Sequence, residues 1–570
     1  MTLRQRMSRE WPLALAILVC FGYLWLTETG ILRRTDGVFM YPLDDPFIHM
    51  QIARDLAFHG VWGINAGEFA SASSSLLYTL LLASLFKIFS ASVLIPFLIN
   101  IVAALALLAV VHRWLYGQEV KGVARAAILL GLVIFLPLPV LIISGMEHTL
   151  QCLFVFLFVT RFTVALGAGV TGGPASGGRL GVDGRLGVGG RLGVDGRLAV
   201  YALLITGIRY EGMFLVMMAG LVLLYHRRVK AAVVLGVAAA LPIVIFGFYS
   251  IRHGSYFWPN SLLVKSESLP MSLQGMAAFV DNILVNKLTV VKQTVRIVGS
   301  PPPGISLLAT QRLLLLFPLA YLCFRGVMRE RRDYADMLVV LTGCTVLHLA
   351  LAATGWLYRY EAYLVMMALV LIPVVFCRAD LRSWWPGRGE WYGRSLAMVV
   401  FFALLFPLVL RSAAAYSNIR QACVNIYQQQ YQMARFLAKY HRGDAVAAND
   451  IGAISFFAPI RTVDLWGLGS IDVARSRKGG YWTPDFLDSL VRKRGVSVAV
   501  VYDEWFDPAL LRRWHKVASW TIRDNVILGG DTVSFYAIDD SDVSVLTGQL
   551  KAFESELPAG VTAAYQWKNP

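Results

Sequence analysis

Long apolar runs, separated by short polar or basic stretches, fill most of the chain up to about residue 412. They lie at about residues 11–29, 91–112, 126–143, 147–163, 197–209, 212–225, 231–250, 306–324, 335–354, 361–377 and 394–412. Most approach or reach the ~20 residues that a helix needs to cross a bilayer, so the pattern predicts about eleven spans. The run at about 197–209 is short for a full crossing. A further run at about 76–90 is also short and is interrupted by Lys87. It is predicted to be re-entrant or interfacial, because a full crossing there would turn every later basic loop to the wrong side. From about residue 413 the period changes. A helical stretch at about 417–440 is followed by strands near 444–448, 461–465, 496–502, 519–528 and 533–538, with a helix at about 483–494. The expected fold class is a polytopic α-helical membrane protein of about eleven spans, residues 1–412, with a C-terminal extracytoplasmic α/β domain, residues 413–570.

Composition supports the membrane reading. Of 570 residues 57% are hydrophobic and 15% charged, and the mean hydropathy is +0.59. The net charge of +16 does not point to nucleic acid. Its basic clusters, beginning with Arg4, Arg6 and Arg9, fall where cytoplasmic loops are expected and set topology. A multi-pass protein of the inner (cytoplasmic) membrane is therefore predicted, with the N-terminus on its cytoplasmic side and the C-terminus on its extracytoplasmic side. The run after Trp11 has no small-residue cleavage site behind it and reads as a retained anchor. Six cysteines show neither paired spacing nor a zinc motif. Residues 171–198 repeat Gly-Arg-Leu-Gly-Val with period six and are thin in apolar content, so they read as a flexible cytoplasmic insertion.

On this topology the ionisable motifs gather on the outer side. The 30–90 loop carries Asp44-Asp45-Pro46-Phe47-Ile48-His49. Pro46 suits a first helical turn, with Asp45 as its cap. Phe47, Ile48, Ile52, Leu56 and His59 recur at roughly helical spacing, as in a helix lying along the interface. The turn Ser144-Gly145-Met146-Glu147-His148, the turn Arg209-Tyr210-Glu211, the 251–305 loop and the turn from Gly355 to Glu361 join it. Charges at such depths are costly and are functional or paired. In the purely structural reading Asp44 and Asp45 cap a helix, Arg209 pairs with Glu211, and Arg359 pairs with Glu361.

Several motifs in order resemble the C-type superfamily of integral-membrane glycosyltransferases that use polyprenyl-phosphate sugars. Asp44-Asp45-Pro46-Phe47-Ile48 resembles its acidic pair before an interfacial helix, and Ser71–Tyr78 its Ser/Pro-rich approach to the next membrane element. Gly145-Met146-Glu147, Arg209-Tyr210-Glu211-Gly212 and Pro259-Asn260-Ser261 with Lys265 are similar to Gly-Met-Glu, Arg-Pro-Glu-Gly and Pro-Asn-Thr…Lys segments of one bacterial branch. Tyr210 stands where that branch has proline. Asn449-Asp450-Ile451-Gly452 and Asp464-Leu465-Trp466-Gly467 resemble paired motifs of its outer domain. The nearest branch is that of the mycobacterial terminal arabinofuranosyltransferase and related bacterial proteins.

The resemblance implies transfer of a sugar from a polyprenyl-phosphate donor to an extracytoplasmic glycan, lipid or protein acceptor beside the bilayer. Such chemistry needs a base for the acceptor hydroxyl and a counter-charge for the departing phosphate. Asp44 is the expected base, with Asp45 and Glu147 as its catalytic partners. Lys265, Arg359 and Arg209 are the expected phosphate ligands. His49, His148, Glu211, Asn260 and Asp450 are acceptor-side or supporting residues. Asp44 and Glu147 could together hold a divalent cation (Mg, Mn or Ca), a point left open. Trp466 and Trp482 could stack on sugar rings or be buried. The rival readings are a transporter or lipid flippase, against which no inverted repeat is visible, and a non-catalytic scaffold.

Overall fold

The computed structural model describes residues 3–167, 192–265, 332–353, 355, 357–378 and 390–566. The expected span at 306–324, most of the 251–305 loop and most of the Gly-Arg repeat lie outside the described residues. Five described helices are long and apolar enough to cross a membrane: Ser8–Leu32, Leu94–Gly117, His148–Leu166, Val229–Arg252 and Tyr334–Leu351. Shorter apolar helices cover Leu76–Phe89, Gly122–Phe135, Gly196–Ile208, Gly212–Tyr225 and Ala362–Val375. These are distributed as the hydrophobic runs foretold, with two differences. The run at 126–143 is broken into Gly122–Phe135 and Leu138–Ile143, because Pro137 brings no N–H to continue the first helix. The short run at 197–209 belongs to a helix that starts at Leu192, so the last repeat of the tract, with Arg197, is helical rather than loop.

We label α1 as Leu3–Leu32 and α2 as Asp45–His59. The sequence reads α2 as amphipathic along an interface. It is instead buried nearly all round, including Pro46, Phe47, His49, Met50, Gln51, Ala53 and Asp55. The reason is that it has no free face. Phe47 and Met50 join the main membrane core, while Ile48 and Ile52 join a smaller cluster with Trp62, Phe246 and Ile451. α2 ends at Gly60, in the left-handed conformation that glycine accepts without strain.

A helix from Glu390 to Ile426 continues through a π-helical turn, Tyr427–Tyr431, into a helix at Gln432–Tyr440. It delivers the chain to a six-stranded sheet of order β2-β1-β3-β5-β4-β6. The strands are β1 Ala445–Ala448, β2 Arg461–Asp464, β3 Val496–Val501, β4 His515–Ile522, β5 Thr532–Ala537 and β6 Val561–Tyr565. β2, β1 and β3 run parallel and the other pairings are antiparallel. Helices cover both faces. Trp520 is fully buried against Phe535, Phe553 and Phe436 on one side. Leu487, Leu490 and Val491 pack on the other. β4 lies earlier than the expected 519–528, because Asn525 turns the chain: its Oδ1 accepts from the N–H groups of Ile527 and Leu528. β6 has no sequence signal comparable to the β-branched run of β3.

The sheet region is docked on α2 by a short helix, Ala453–Phe457. Asp44, preceding α2, accepts from Gly452 N and Ala453 N, each at 2.7 Å. Arg54 donates to the carbonyls of Phe456 at 2.7 Å and Ser455 at 3.1 Å. One residue therefore satisfies unpaired N–H groups at the start of that helix and the other satisfies carbonyls at its end. Gly452 lies so close that an added Cβ would sit 2.2 Å from the Asp44 carbonyl oxygen. Gly452→Ala is expected to cost roughly 3 kcal/mol by overpacking. It should lower the thermal midpoint of the detergent-solubilised chain and open the 427–431 turn to protease. An unchanged midpoint and cleavage pattern would show that the docking tolerates a side chain there.

Candidate functional site

A cavity of about 220 Å³ opens beside the start of α2. Asp45, His49, Arg209, Glu211, Arg359 and Tyr360 line its polar wall; Tyr210, Trp258, Ser261 and Leu468 are among the residues completing it. Segments far apart along the chain, Met146 of the Ser144–His148 turn among them, therefore meet at one place. The Ser144–His148 turn is pinned by Gly145, whose φ of 66° is left-handed and whose Cβ position is filled by the Tyr41 ring. The turn after residue 208 is tied to the 71–75 segment, where Ser75 Oγ donates to Ile208 O at 2.5 Å.

The two arginines differ. Arg209 is saturated: Nη1 donates to Glu147 at 2.8 Å, while Nε and Nη2 grip Glu211 in a bidentate pair at 3.0 and 2.5 Å. The expected Arg209–Glu211 pair thus exists, with Glu147 added. The alternative Arg359–Glu361 pair does not form. Arg359 Nη2 donates to Asp45, and to Tyr360 OH at 3.1 Å. Glu361 lies 3.4 Å from Arg411. Arg359 is 1% exposed, yet its Nε and Nη1 have no hydrogen-bond partner among the described residues. Native proteins rarely leave such donors unsatisfied.

His49 is held by Ser73 and Thr79 at its Nδ1, at 3.0 and 3.2 Å, and its Nε2 lies 4.0 Å from Glu147. Burial holds the imidazole below its ordinary range, against the pull of Glu147. His148 is fully buried; neither ring nitrogen has a partner among the described residues, and its ring lies 5.9 Å from that of Tyr360. Asn260 is buried and its N–H donates to Ser71 O at 2.9 Å. Lys265 ends a short helix, Asn260–Lys265, but its side chain lies outside the described residues.

Asp44 is the largest departure from the sequence reading. Asp44, not Asp45, occupies the N-cap position of α2, and it makes no side-chain bond to its own helix. Its oxygens face the Gly452–Ala453 backbone, so Asp45 rather than Asp44 lines the cavity. Asp450, expected where loops meet an acceptor, is turned inward and accepts from Gln430 at 2.9 Å and Tyr502 at 2.9 Å. Asn449 accepts from Tyr502 N. Asp464 is buried and accepts from the N–H groups of Trp466, Gly467, Gly469 and Ser470. Burial raises its pKa, and these four donors oppose the rise. Trp466 and Trp482 lie nearly perpendicular, 5.7 Å apart, with Arg477 over Trp466 at 3.8 Å; both are half-buried.

A divalent cation does not fit the carboxylates that were expected to hold it. Both Asp44 oxygens are engaged by backbone N–H groups, and Glu147, Glu211 and Asp45 each face an arginine, Arg209 serving two of them. No cluster of three or more His, Cys, Asp or Glu groups suited to a metal occurs among the described residues. Sequence reasoning missed Tyr360 and Ser261 at the cavity, and the Gln429–Gln430–Tyr502 network around Asp450. The glutamine run inside an otherwise helical stretch was the available signal for the latter.

No curated protein matches the sequence. A family described as a domain of unknown function (DUF8728) matches residues 418–536. Among solved structures, ArnT from Cupriavidus metallidurans in the apo state is 12% identical, covers 93% of this chain and 98% of that chain, and aligns with a TM-score of 0.50. The same protein bound to undecaprenyl phosphate is 12% identical over the same shares, with a TM-score of 0.49. The apo oligosaccharyltransferase of Archaeoglobus fulgidus is 12% identical, covers 92% of this chain and 75% of that chain, and has a TM-score of 0.48. The likeness to apo ArnT extends over nearly the whole of both chains: this is a helical membrane protein of that fold with a C-terminal sheet-containing region.

Burial of Asp44, within the field of the Asp450 carboxylate, makes the docking sensitive to pH. Burial, and secondly the Asp450 carboxylate, raise the Asp44 pKa to about 7; the two backbone donors oppose this. Burial raises Asp450 as well. The folded state therefore keeps a proton that the unfolded chain releases near its reference pKa of about 4, so stability falls as pH rises from about 4 and levels off above about 7. The thermal midpoint is expected to drop between about pH 4 and about pH 7, and Asp450→Asn should flatten that drop. A midpoint that rises over this range would contradict the assignment.

Proposed function

We propose that the chain is a membrane glycosyltransferase that moves a sugar from a polyprenyl-phosphate donor to an extracytoplasmic glycan, lipid or protein acceptor. The observation that carries this reading is the Asp45–Arg359 pair: a carboxylate lining a cavity beside a buried guanidinium with two nitrogens unsatisfied among the described residues. A phosphate oxygen is the natural acceptor for those nitrogens. The acceptor hydroxyl oxygen attacks the anomeric carbon, its proton passes to Asp45, and the bond from that carbon to the phosphate oxygen breaks. The charge gained by the leaving polyprenyl phosphate is met by Arg359. Arg209, with Glu147 and Glu211, is the rigid floor that keeps Tyr360 and His49 in place. Lys265 is a further phosphate ligand. Of the relatives in fold, ArnT has been solved bound to undecaprenyl phosphate.

In this reading residues 1–412 carry the chemistry in the inner membrane, with the N-terminus cytoplasmic. Residues 413–570 form the extracytoplasmic acceptor-side platform. The motifs resemble those of the mycobacterial terminal arabinofuranosyltransferase branch, and the proposed donor is a hexosyl or pentosyl lipid phosphate.

Transfer of labelled sugar from polyprenyl-phosphate donors tests the reading. Asp45→Asn is expected to lower turnover ~10²–10⁴-fold while undecaprenyl phosphate binding is kept or tightened, since Arg359 loses its carboxylate partner. Arg359→Ala should lose lipid-phosphate binding. Wild-type turnover by Asp45→Asn would remove the base assignment. Arg209→Ala leaves the buried Glu147 and the partly buried Glu211 without their arginine and is expected to cost ~3–5 kcal/mol of stability. Its effect should appear first as a lowered thermal midpoint, and an inactive variant of normal stability would instead give Arg209 a direct role.

A further inference from the structure

A second group of polar atoms unsatisfied among the described residues lies at the same cavity, around Ser261. Ser261 lines the cavity, and Asn260 precedes it. Both side-chain polar atoms of Asn260, Ser261 Oγ and Ser71 Oγ have no hydrogen-bond partner among the described residues. Asn260 is 0%, Ser71 1% and Ser261 7% exposed. The hydrogen bond from Asn260 N to Ser71 O joins the two segments. Orphaned buried amides and hydroxyls are uncommon in native proteins, and several in one place mark a site completed by a polar ligand. These groups are neutral, and each residue offers donors and acceptors together. They suit hydroxyl groups rather than a phosphate. Trp258 and Tyr210, edge to face with ring centroids 6.2 Å apart, line the same cavity and present the apolar surface that the C–H face of a sugar ring needs.

We infer that Ser261, with Asn260 and Ser71 behind it, forms the subsite that reads the hydroxyl groups of the donor's sugar, while Arg359 holds the phosphate. The inference rests on the glycosyltransferase reading. It assigns the choice of donor sugar to the 256–261 segment rather than to the acidic pair. A site built to hydrogen-bond hydroxyls also discriminates against analogues that lack them.

The test uses the full chain in detergent and two kinds of probe: undecaprenyl phosphate itself, and a panel of undecaprenyl-phosphate hexoses and pentoses. Ser261→Ala removes only an oxygen without a partner among the described residues, so it should keep the wild-type thermal midpoint. Ser261→Ala and Asn260→Ala are expected to weaken binding of the sugar-bearing lipid that the wild type prefers by about tenfold. Binding of undecaprenyl phosphate should stay within about twofold. Equal weakening of both lipids by Ser261→Ala, or no weakening of either, overturns the subsite and leaves the glycosyltransferase reading standing. A wild-type chain that binds neither lipid overturns both.

Discussion

The architecture depends on how α2 holds the short helix Ala453–Phe457. Asp44 meets the N–H groups at one end, Arg54 meets the carbonyls at the other, and Phe47 packs against Phe456 and Phe457 between them. Every part of the cavity follows from that grip. It fixes the start of α2, which aims Asp45 at Arg359. It also places the sheet region so that Leu468 closes one wall. Two adjacent aspartates thus take separate tasks because successive residues at a helix start point in different directions: one fastens a second layer of structure and the next faces a cavity.

The buried charges follow the same division. Removing an ion from water is expensive unless it is paired, and a fully paired ion has little left to offer a ligand. Arg209, held by two carboxylates, has reached that endpoint. Arg359, with one carboxylate and one phenol, has not. Ranking the arginines by exposure would treat them alike, since both are buried. Ranking them by unsatisfied donors separates a structural ion from one poised for an anion.

Much of this was legible in the sequence. Apolar run length located the five long apolar helices among the described residues, though not a count of eleven spans, and the β-branched stretch from Val496 located a central strand. The gathering of Asp45, Arg209, Glu211 and Arg359 at one end of the bundle followed from counting loops. What was not legible depended on contacts distant along the chain. Nothing local to Asp44 says that residues 452 and 453 will take its oxygens, and nothing local to Glu361 says that Arg411 will claim it in place of Arg359. The apparent amphipathic face of α2 was misleading for a related reason. Periodicity reports one buried side, and a helix covered from opposite directions has none exposed to report. Asp450 and Asp464 sit at strand ends, where a loop-borne site is a fair guess, yet neighbouring backbone and side-chain donors satisfy them.

The passage from the membrane toward the sheet is helical almost to the first strand: the helix that begins at Glu390 reaches Tyr440 with only a π-turn to interrupt it, and a short turn at 441–444 leads into β1. Each residue of a helix advances the chain by about 100° of rotation. One residue added or removed between 408 and 426 would therefore swing the whole sheet region by roughly that angle about the helix axis and carry Gly452 away from Asp44. Length here is as binding as identity. Over evolutionary time this segment should accept exchanges of side chain freely and changes of register hardly at all, and the π-turn, itself an extra residue absorbed into a helix, has the form of one such change that was kept.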